Sequence, residues 1–162
     1  MEAKPHSTEL SWQWKLLDQM SPRVLYRLMA FREAVFVVEQ RCPYLELDGR
    51  DEAAWHLLGQ RSDHVLACLR VLVPPGNGLS YRIGRVAVDE TVRGKGLARD
   101  MLLLAEEKIF AANPQAEIVL NAQSYLVPFY QANGYEINGE EFMEDEIPHV
   151  PMKKHLQAKK PG

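Results

Sequence analysis

Arg93-Gly94-Lys95-Gly96-Leu97-Ala98 stands between an apolar, strand-like run ending in Ile83-Gly84-Arg85-Val86-Ala87-Val88 and a long amphipathic stretch from Gly96 to Ala112. Glycines at such a junction let backbone N–H groups turn toward one point, where the helix dipole adds partial positive charge. The ligand that suits this is a phosphate or pyrophosphate, and Arg93, Lys95 and Arg99 add formal charge around it. Spacing separates the phosphate-binding signatures. A Walker loop, G-x-x-x-x-G-K-[ST], fails because the residue five before Gly94 is Asp89 and Gly96 follows the lysine. A dinucleotide fingerprint, G-x-G-x-x-G/A, fails at Arg99. The pattern that fits is R-x-x-G-x-A, with Arg93, Gly96 and Ala98. Read alone, the loop is also open to a plainer account, a tight turn whose basic residues face water.

The elements on either side set the loop in a fold. Ser11 to Leu17 alternates Trp12, Trp14 and Leu16, a strand pattern, and Ser21-Pro22 then caps a helix carrying Val24, Leu25, Leu28, Phe31, Val35 and Phe36 until Cys42-Pro43 ends it. An acidic loop, Leu45 to Glu52, leads to strands near Ala54–Gln60, Val65–Val73 and Leu79–Val88. The helix from Gly96 to Ala112 places Leu97, Met101, Leu104 and Ile109 inward and stops at Asn113-Pro114. A strand over Glu117–Ala122, a helix from Pro128 capped by Asn133-Gly134, and strands in Tyr135–Phe142 and Ile147–Leu156 follow. This order predicts an α/β fold, a mixed sheet with helices on both faces. Residues 1–10 are expected to be loose, 11–157 to form one domain, and 158–162 to be a basic tail.

Bulk properties narrow the partners. The net charge of −3, with acids and bases mixed, argues against a nucleic-acid surface. Apolar runs such as Val35-Phe36-Val37-Val38 are too short to span a bilayer, and no signal-peptide pattern is present, so a cytoplasmic protein without a membrane partner is expected. Cys42 and Cys68 lack metal-ligand spacing and read as free thiols; no metal is expected.

A second motif joins the loop. Phe129-Tyr130-Gln131-Ala132-Asn133-Gly134-Tyr135, about 35 residues further on, resembles the second signature of GNAT acetyltransferases, whose acetyl-CoA loop R-x-x-G-x-A resembles. The run Phe31 to Tyr44, then Leu47-Asp48-Gly49, Ile83-Gly84-Arg85-Val86 and Glu144 to Met152 are similar to the ElaA-type group of bacterial GNAT proteins. These segments span about three quarters of the chain. One departure concerns Gln123, seven residues before Tyr130, where many members of the superfamily have asparagine.

The resemblance implies the GNAT (acyl-CoA N-acyltransferase) fold, a bent mixed sheet with splayed central strands, and acetyl-CoA as cosubstrate in the opening. Val86, Ala87 and Val88 would meet its pantetheine arm. Arg93, Gly94, Lys95, Gly96, Leu97 and Ala98 would hold the pyrophosphate, and Gln123 and Tyr130 would also contact it. The Val88 N–H would stabilise the oxyanion and Tyr130 would act as general acid; a packed ring at a helix–sheet junction is the alternative for Tyr130. The base that deprotonates the amine is left open among Glu33, Asp48, His56 and His149, with Asp48, Glu33 and His149 as acceptor-side residues. Glu46, Asp48, Asp51 and Glu52 suggest a small cationic amine as acceptor. The five acids between Glu140 and Glu146 read as a solvated rim. Homodimers are common in the superfamily. An acetyl-CoA sensor without turnover is the alternative function, and a nucleotide phosphate-binding protein is disfavoured by the failed spacings.

Overall fold

The computed structural model describes residues 9–156. Residues 1–8 and 157–162, where the N-terminal segment and the basic tail were expected, lie outside them. The strands are β1 (Ser11–Lys15), β2 (Trp55–Arg61), β3 (His64–Leu72), β4 (Ser80–Val88), β5 (Glu117–Gln123), β6 (Glu136–Ile137), β7 (Phe142–Glu144) and β8 (Ile147–His155). They form one mixed sheet in the order β1-β2-β3-β4-β5-β8-β6, with β7 on β8. The helices are α1 (Pro22–Glu33), α2 (Leu97–Ala112) and α3 (Val127–Ala132).

Strand alternation divides the core. Leu57, Ala67, Leu69, Tyr81, Ile83, Ile118 and Leu120 meet Met101, Leu102, Ala105 and Ile109 of α2 on one face. Leu58, Val65, Cys68 and Ala87 meet Leu28, Phe31 and Val35 of the α1 region on the other. Helices therefore cover both faces, as the sequence pattern required. On α2, Leu97 and Leu104 sit at the flank of the buried stripe, and Leu102 and Ala105 take its centre instead. Leu10, assigned to the loose segment from sequence, is buried at 8% exposure because its side chain packs on the sheet beside Gly59.

Two local readings change. Ser21 caps α1 as expected, its Oγ accepting from Val24 N at 3.2 Å. The helical run beyond Glu33 widens into a π-helix over Ala34–Glu39, with Gln40 N donating to Val35 O and Cys42 N to Val37 O. Three valines in this stretch are stiff at χ1 and support an ordinary helix poorly, and such widened turns recur at functional sites. The single strand expected over Tyr135–Phe142 is two short ones. Asn138 N donates to Pro151 O at 2.7 Å, and a Cβ on Gly139 would meet Pro151 Cγ at 2.6 Å, so the chain crosses Pro151 too closely to continue as a regular strand.

The parallel pair β4–β5 is registered at only three positions, Ser80–Glu117, Tyr81–Ile118 and Arg82–Val119. Beyond them β4 runs to Val88 and β5 to Gln123 without pairing each other, so the sheet opens between its central strands. No helix among the described residues is long and apolar enough to cross a membrane. Leu102 lies fully buried between α2 and the sheet. Leu102→Ala should cost about 3 kcal/mol of stability through lost transfer energy and a residual cavity, measured by denaturant unfolding.

Candidate active site

The opening leads into a cleft of about 920 Å³. One wall carries Gly84, Arg85, Val86, Ala87 and Val88 of β4; the other carries Leu120, Asn121 and Gln123 of β5, Tyr130 of α3 and His149 of β8. The π-helix contributes Val35, Phe36, Val37 and Glu39, and the loop after it Cys42, Tyr44, Glu46 and Asp48.

The glycine loop lies where β4 leaves the cleft. A 3₁₀ turn, Glu90–Val92, is capped by Asp89, and Gly94 and Gly96 follow with φ of +78° and +77°. Gly96 caps α2, and a Cβ there would meet no atom within 4 Å, so the glycine answers to backbone conformation and not to crowding. Arg93 turns back: its Nε donates to Val88 O at 2.8 Å and its Nη2 to Glu39 Oε2 at 2.8 Å. Hydrogen bonding to Glu39 raises the Arg93 pKa further above its ordinary value. Of the residues expected to hold the cosubstrate, Val86, Ala87, Val88, Arg93, Gln123 and Tyr130 line the cleft. Gly94, Lys95, Gly96, Leu97 and Ala98 form the loop and first helical turn beside it. The Gln123 amide Nε2 donates to Gln40 Oε1 at 3.4 Å, which ties β5 to the end of the π-helix.

Tyr130 is 8% exposed and packs edge-on between Phe129 and Tyr135, at centroid distances of 5.1 and 5.9 Å. Burial, with a small contribution from Tyr125, pushes its hydroxyl up to about 12. The ring is packed at the helix–sheet junction, as the plainer reading has it, and the residue also lines the cleft.

The sequence reading missed a cluster of three arginines. Arg32 of α1, 1% exposed, donates from Nε to Glu46 Oε1 and from Nη1 to Asp51 Oδ1, each at 2.7 Å. Arg70 of β3 holds Asp48 through two bonds of 2.8 and 2.9 Å and reaches Asp51 at 3.1 Å. Arg85 of β4 donates to Glu46 Oε1 at 2.8 Å. Its φ of +51° marks a bulge where Cys68 pairs Ala87 but Arg70 pairs Gly84. The available signal was the arginines themselves, since Arg70 and Arg85 interrupt strongly apolar strands and buried charges demand partners.

This cluster bears on the acceptor-side expectation. Glu46, Asp48 and Asp51 are neutralised by three guanidiniums, and Glu52 is exposed away from the cleft lining, so the acidic loop is not a free cation trap. Burial disfavours the charged form of Asp48, but Arg70, the Arg50 amide and Arg85 outweigh it and hold the carboxyl well below the usual range. Asp51 is lowered in the same way, with Arg32 and Arg70 overcoming burial. Glu33 is exposed on α1 and does not line the cleft. His56 is buried with Nε2 2.8 Å from Asp51 O, outside the cleft lining, and burial lowers its pKa. His149, by contrast, lines the cleft. The Glu140–Glu146 rim is exposed throughout, and Glu144 and Asp145 also reach the cleft.

The model of the Acetyltransferase (GNAT) domain matches residues 49–156. Protein ElaA of Escherichia coli is 35% identical over 149 residues, covering 91% of this chain and 97% of that protein. The crystal structure of E. coli ElaA superposes with a TM-score of 0.83 at 35% identity, covering 90% of this chain and 99% of that one. An acyl-CoA N-acyltransferase from Pseudomonas aeruginosa superposes with a TM-score of 0.85 at 34% identity, over the same shares of the two chains.

The ion cluster generates a pH-dependent prediction. Unfolded, Asp51 takes up its proton near pH 3.9, whereas in the folded chain it does so at lower pH. As pH falls below about 4 the unfolded state binds protons first, so the stability from Asp51 and Asp48, complete above that range, is lost on acidification. Asp51→Asn should lower stability at pH 7 by about 3 kcal/mol and flatten its fall toward pH 3, as followed by urea unfolding across that range.

Proposed function

This chain belongs to the GNAT acetyltransferase family, and on that premise we propose that it transfers the acetyl group of acetyl-CoA to the primary amine of a small acceptor. The observation that carries the proposal is the opening between β4 and β5, which leaves the backbone edge of Val86, Ala87 and Val88 facing the cleft across from Tyr130. An unpaired strand edge offers hydrogen bonds to the amides of a pantetheine arm as it would to an added strand. The loop from Arg93 to Ala98 holds the pyrophosphate through backbone N–H groups at the start of α2. Because Val88 O already accepts from Arg93, the part left to Val88 is donation from its N–H to the oxyanion. We place the reaction in the cytoplasm, which the two free, buried thiols Cys42 and Cys68 favour.

Tyr130 assists departure of the thiolate, and its environment says how. Against a thiol near 8.5, full transfer of a proton from a hydroxyl raised to about 12 would run uphill by roughly 5 kcal/mol. Donation of a hydrogen bond to the developing sulfur anion carries no such penalty. The acceptor is read as a small amine without a requirement for added positive charge, given the neutralised acidic loop.

Acetyl-CoA at 100 times its dissociation constant should stabilise the protein by about 2.7 kcal/mol, read by thermal shift and calorimetry. Gly96→Glu should abolish that binding, while Gly96→Gln, equally strained at positive φ but uncharged, should retain most of it. Absence of acetyl-CoA binding to the wild-type chain would overturn the reading.

Free-thiol release should be measured with a panel comprising a polyamine, amino acids, an aminoglycoside and a lysine peptide. For the amine turned over fastest, Tyr130→Phe should lower kcat about 10- to 1000-fold and leave the acetyl-CoA dissociation constant unchanged. Binding without turnover of any amine would favour a non-catalytic acetyl-CoA sensor.

A further inference from the structure

Amine acetylation needs a group that takes the amine's proton, and the cleft offers few. Glu39 is paired with Arg93, Glu46 with Arg32 and Arg85, and Asp48 with Arg70, so three of its carboxylates are committed to guanidiniums. His56 lies outside the lining and Glu33 faces solvent. His149 differs from all of these.

The residue is 8% exposed and lines the cleft, and its ring stacks on Phe142 at 6.0 Å between centroids with planes 29° apart. Strand pairing holds it from both sides, opposite Gln123 of β5 and Phe142 of β7. Nδ1 lies 2.7 Å from Ile147 O. A carbonyl oxygen only accepts, so Nδ1 carries the hydrogen and the neutral ring keeps its lone pair on Nε2. Nε2 in turn lies 3.5 Å from Glu144 Oε2. The ring is therefore held in the tautomer whose remaining nitrogen can gain a proton, with the Glu144 carboxylate beside that nitrogen. Other titratable groups on the enclosing elements are Asp145 and Glu146 at the β7–β8 turn, Cys42 and Tyr44 on the loop after the π-helix, Tyr125 after β5 and Tyr130 of α3.

We propose that His149 is the general base, accepting the amine proton at Nε2, with Glu144 as a positioning residue that stabilises the charged ring; this rests on the acetyltransfer reading above. The amine nitrogen bonds the acyl carbon and gives one proton to Nε2. The carbon–sulfur bond breaks with its electron pair on sulfur, Tyr130 hydrogen-bonds that sulfur, and the proton on Nε2 then passes to the thiolate or to solvent. The products are one amide and one thiol, and the ring is restored.

The test uses the full chain, acetyl-CoA and the panel amine turned over fastest. His149→Gln should lower kcat/KM by about 100-fold or more and remove the acidic limb of its pH profile, while the acetyl-CoA dissociation constant stays within about 2-fold. Added imidazole should restore part of the rate to His149→Ala. Glu144→Gln should lower kcat about 3-fold with KM unchanged and displace the same limb, and Glu144→Asp should recover it. Nitrogen-15 spectra of the wild-type imidazoles, assigned by the signal lost in His149→Gln, should show the neutral ring protonated at Nδ1. A His149→Gln rate within about 3-fold of wild type, an acidic limb that persists in it, or a neutral ring protonated at Nε2 would overturn the proposal. The spectra decide it even if no panel amine reacts, whereas loss of acetyl-CoA binding by the wild type would count against the acetyltransfer reading itself.

Discussion

Three registered pairs between β4 and β5, and no more, decide the character of this molecule. A parallel pair that continued to Val88 and Gln123 would satisfy its own backbone and leave no cleft. Because the strands separate after Arg82 and Val119, backbone groups on two facing edges must find partners outside the ladder. The neighbours keep the edges ordered: β3 pairs with β4 as far as Val88, and β8 pairs with β5 along its full length. The opening is thus framed by two well-paired half-sheets.

The six charges of the arginine–carboxylate cluster are a different kind of constraint. Buried ion pairs add little net stability, because desolvation offsets most of the Coulombic gain, but losing one member is costly. Their effect here is to fix geometry. Glu46 joins Arg32 of α1 to Arg85 of β4, and Asp51 joins Arg32 to Arg70 of β3, so the loop between α1 and β2 is held against two strands and a helix. Arg85 can then occupy a left-handed conformation that costs a non-glycine residue about 1–2 kcal/mol. Elsewhere Glu106 accepts from Lys154 and Tyr135, and so ties α2 to β8 and to the chain after α3, behind the cleft.

The main strands and helices were legible because their apolar periodicity is strong and their caps are explicit, as with Ser21-Pro22 and Asn133-Gly134. The glycine loop was legible as a strand-to-helix turn, because Gly94 and Gly96 stand between an apolar strand and an amphipathic helix. What could not be read depends on particular hydrogen bonds and contacts that apolar periodicity does not specify. The π-helix is written in the same residues as an ordinary helix, and only its hydrogen bonds tell the two apart. The split of the Tyr135–Phe142 strand follows from the approach of Pro151. The acids from Glu46 to Asp51 looked like a free cluster because Arg32, Arg70 and Arg85 come from three other elements. His149 was visible as a candidate, yet the contact of its Nδ1 with the Ile147 carbonyl, two residues back on β8, shows only in the structure.

The two buried sulfurs have a practical bearing on product detection. Cys68 donates to Arg85 O, and burial pushes its thiol up to about 12; Cys42 donates to Asp145 O and is raised as well, first by burial and then by Asp145 and Glu146. Only the thiolate reacts rapidly with disulfide reagents. A chromogenic disulfide added during turnover therefore meets two reluctant protein sulfurs and one accessible released thiol. The native chain supplies its own low background, and a denatured control would not share it.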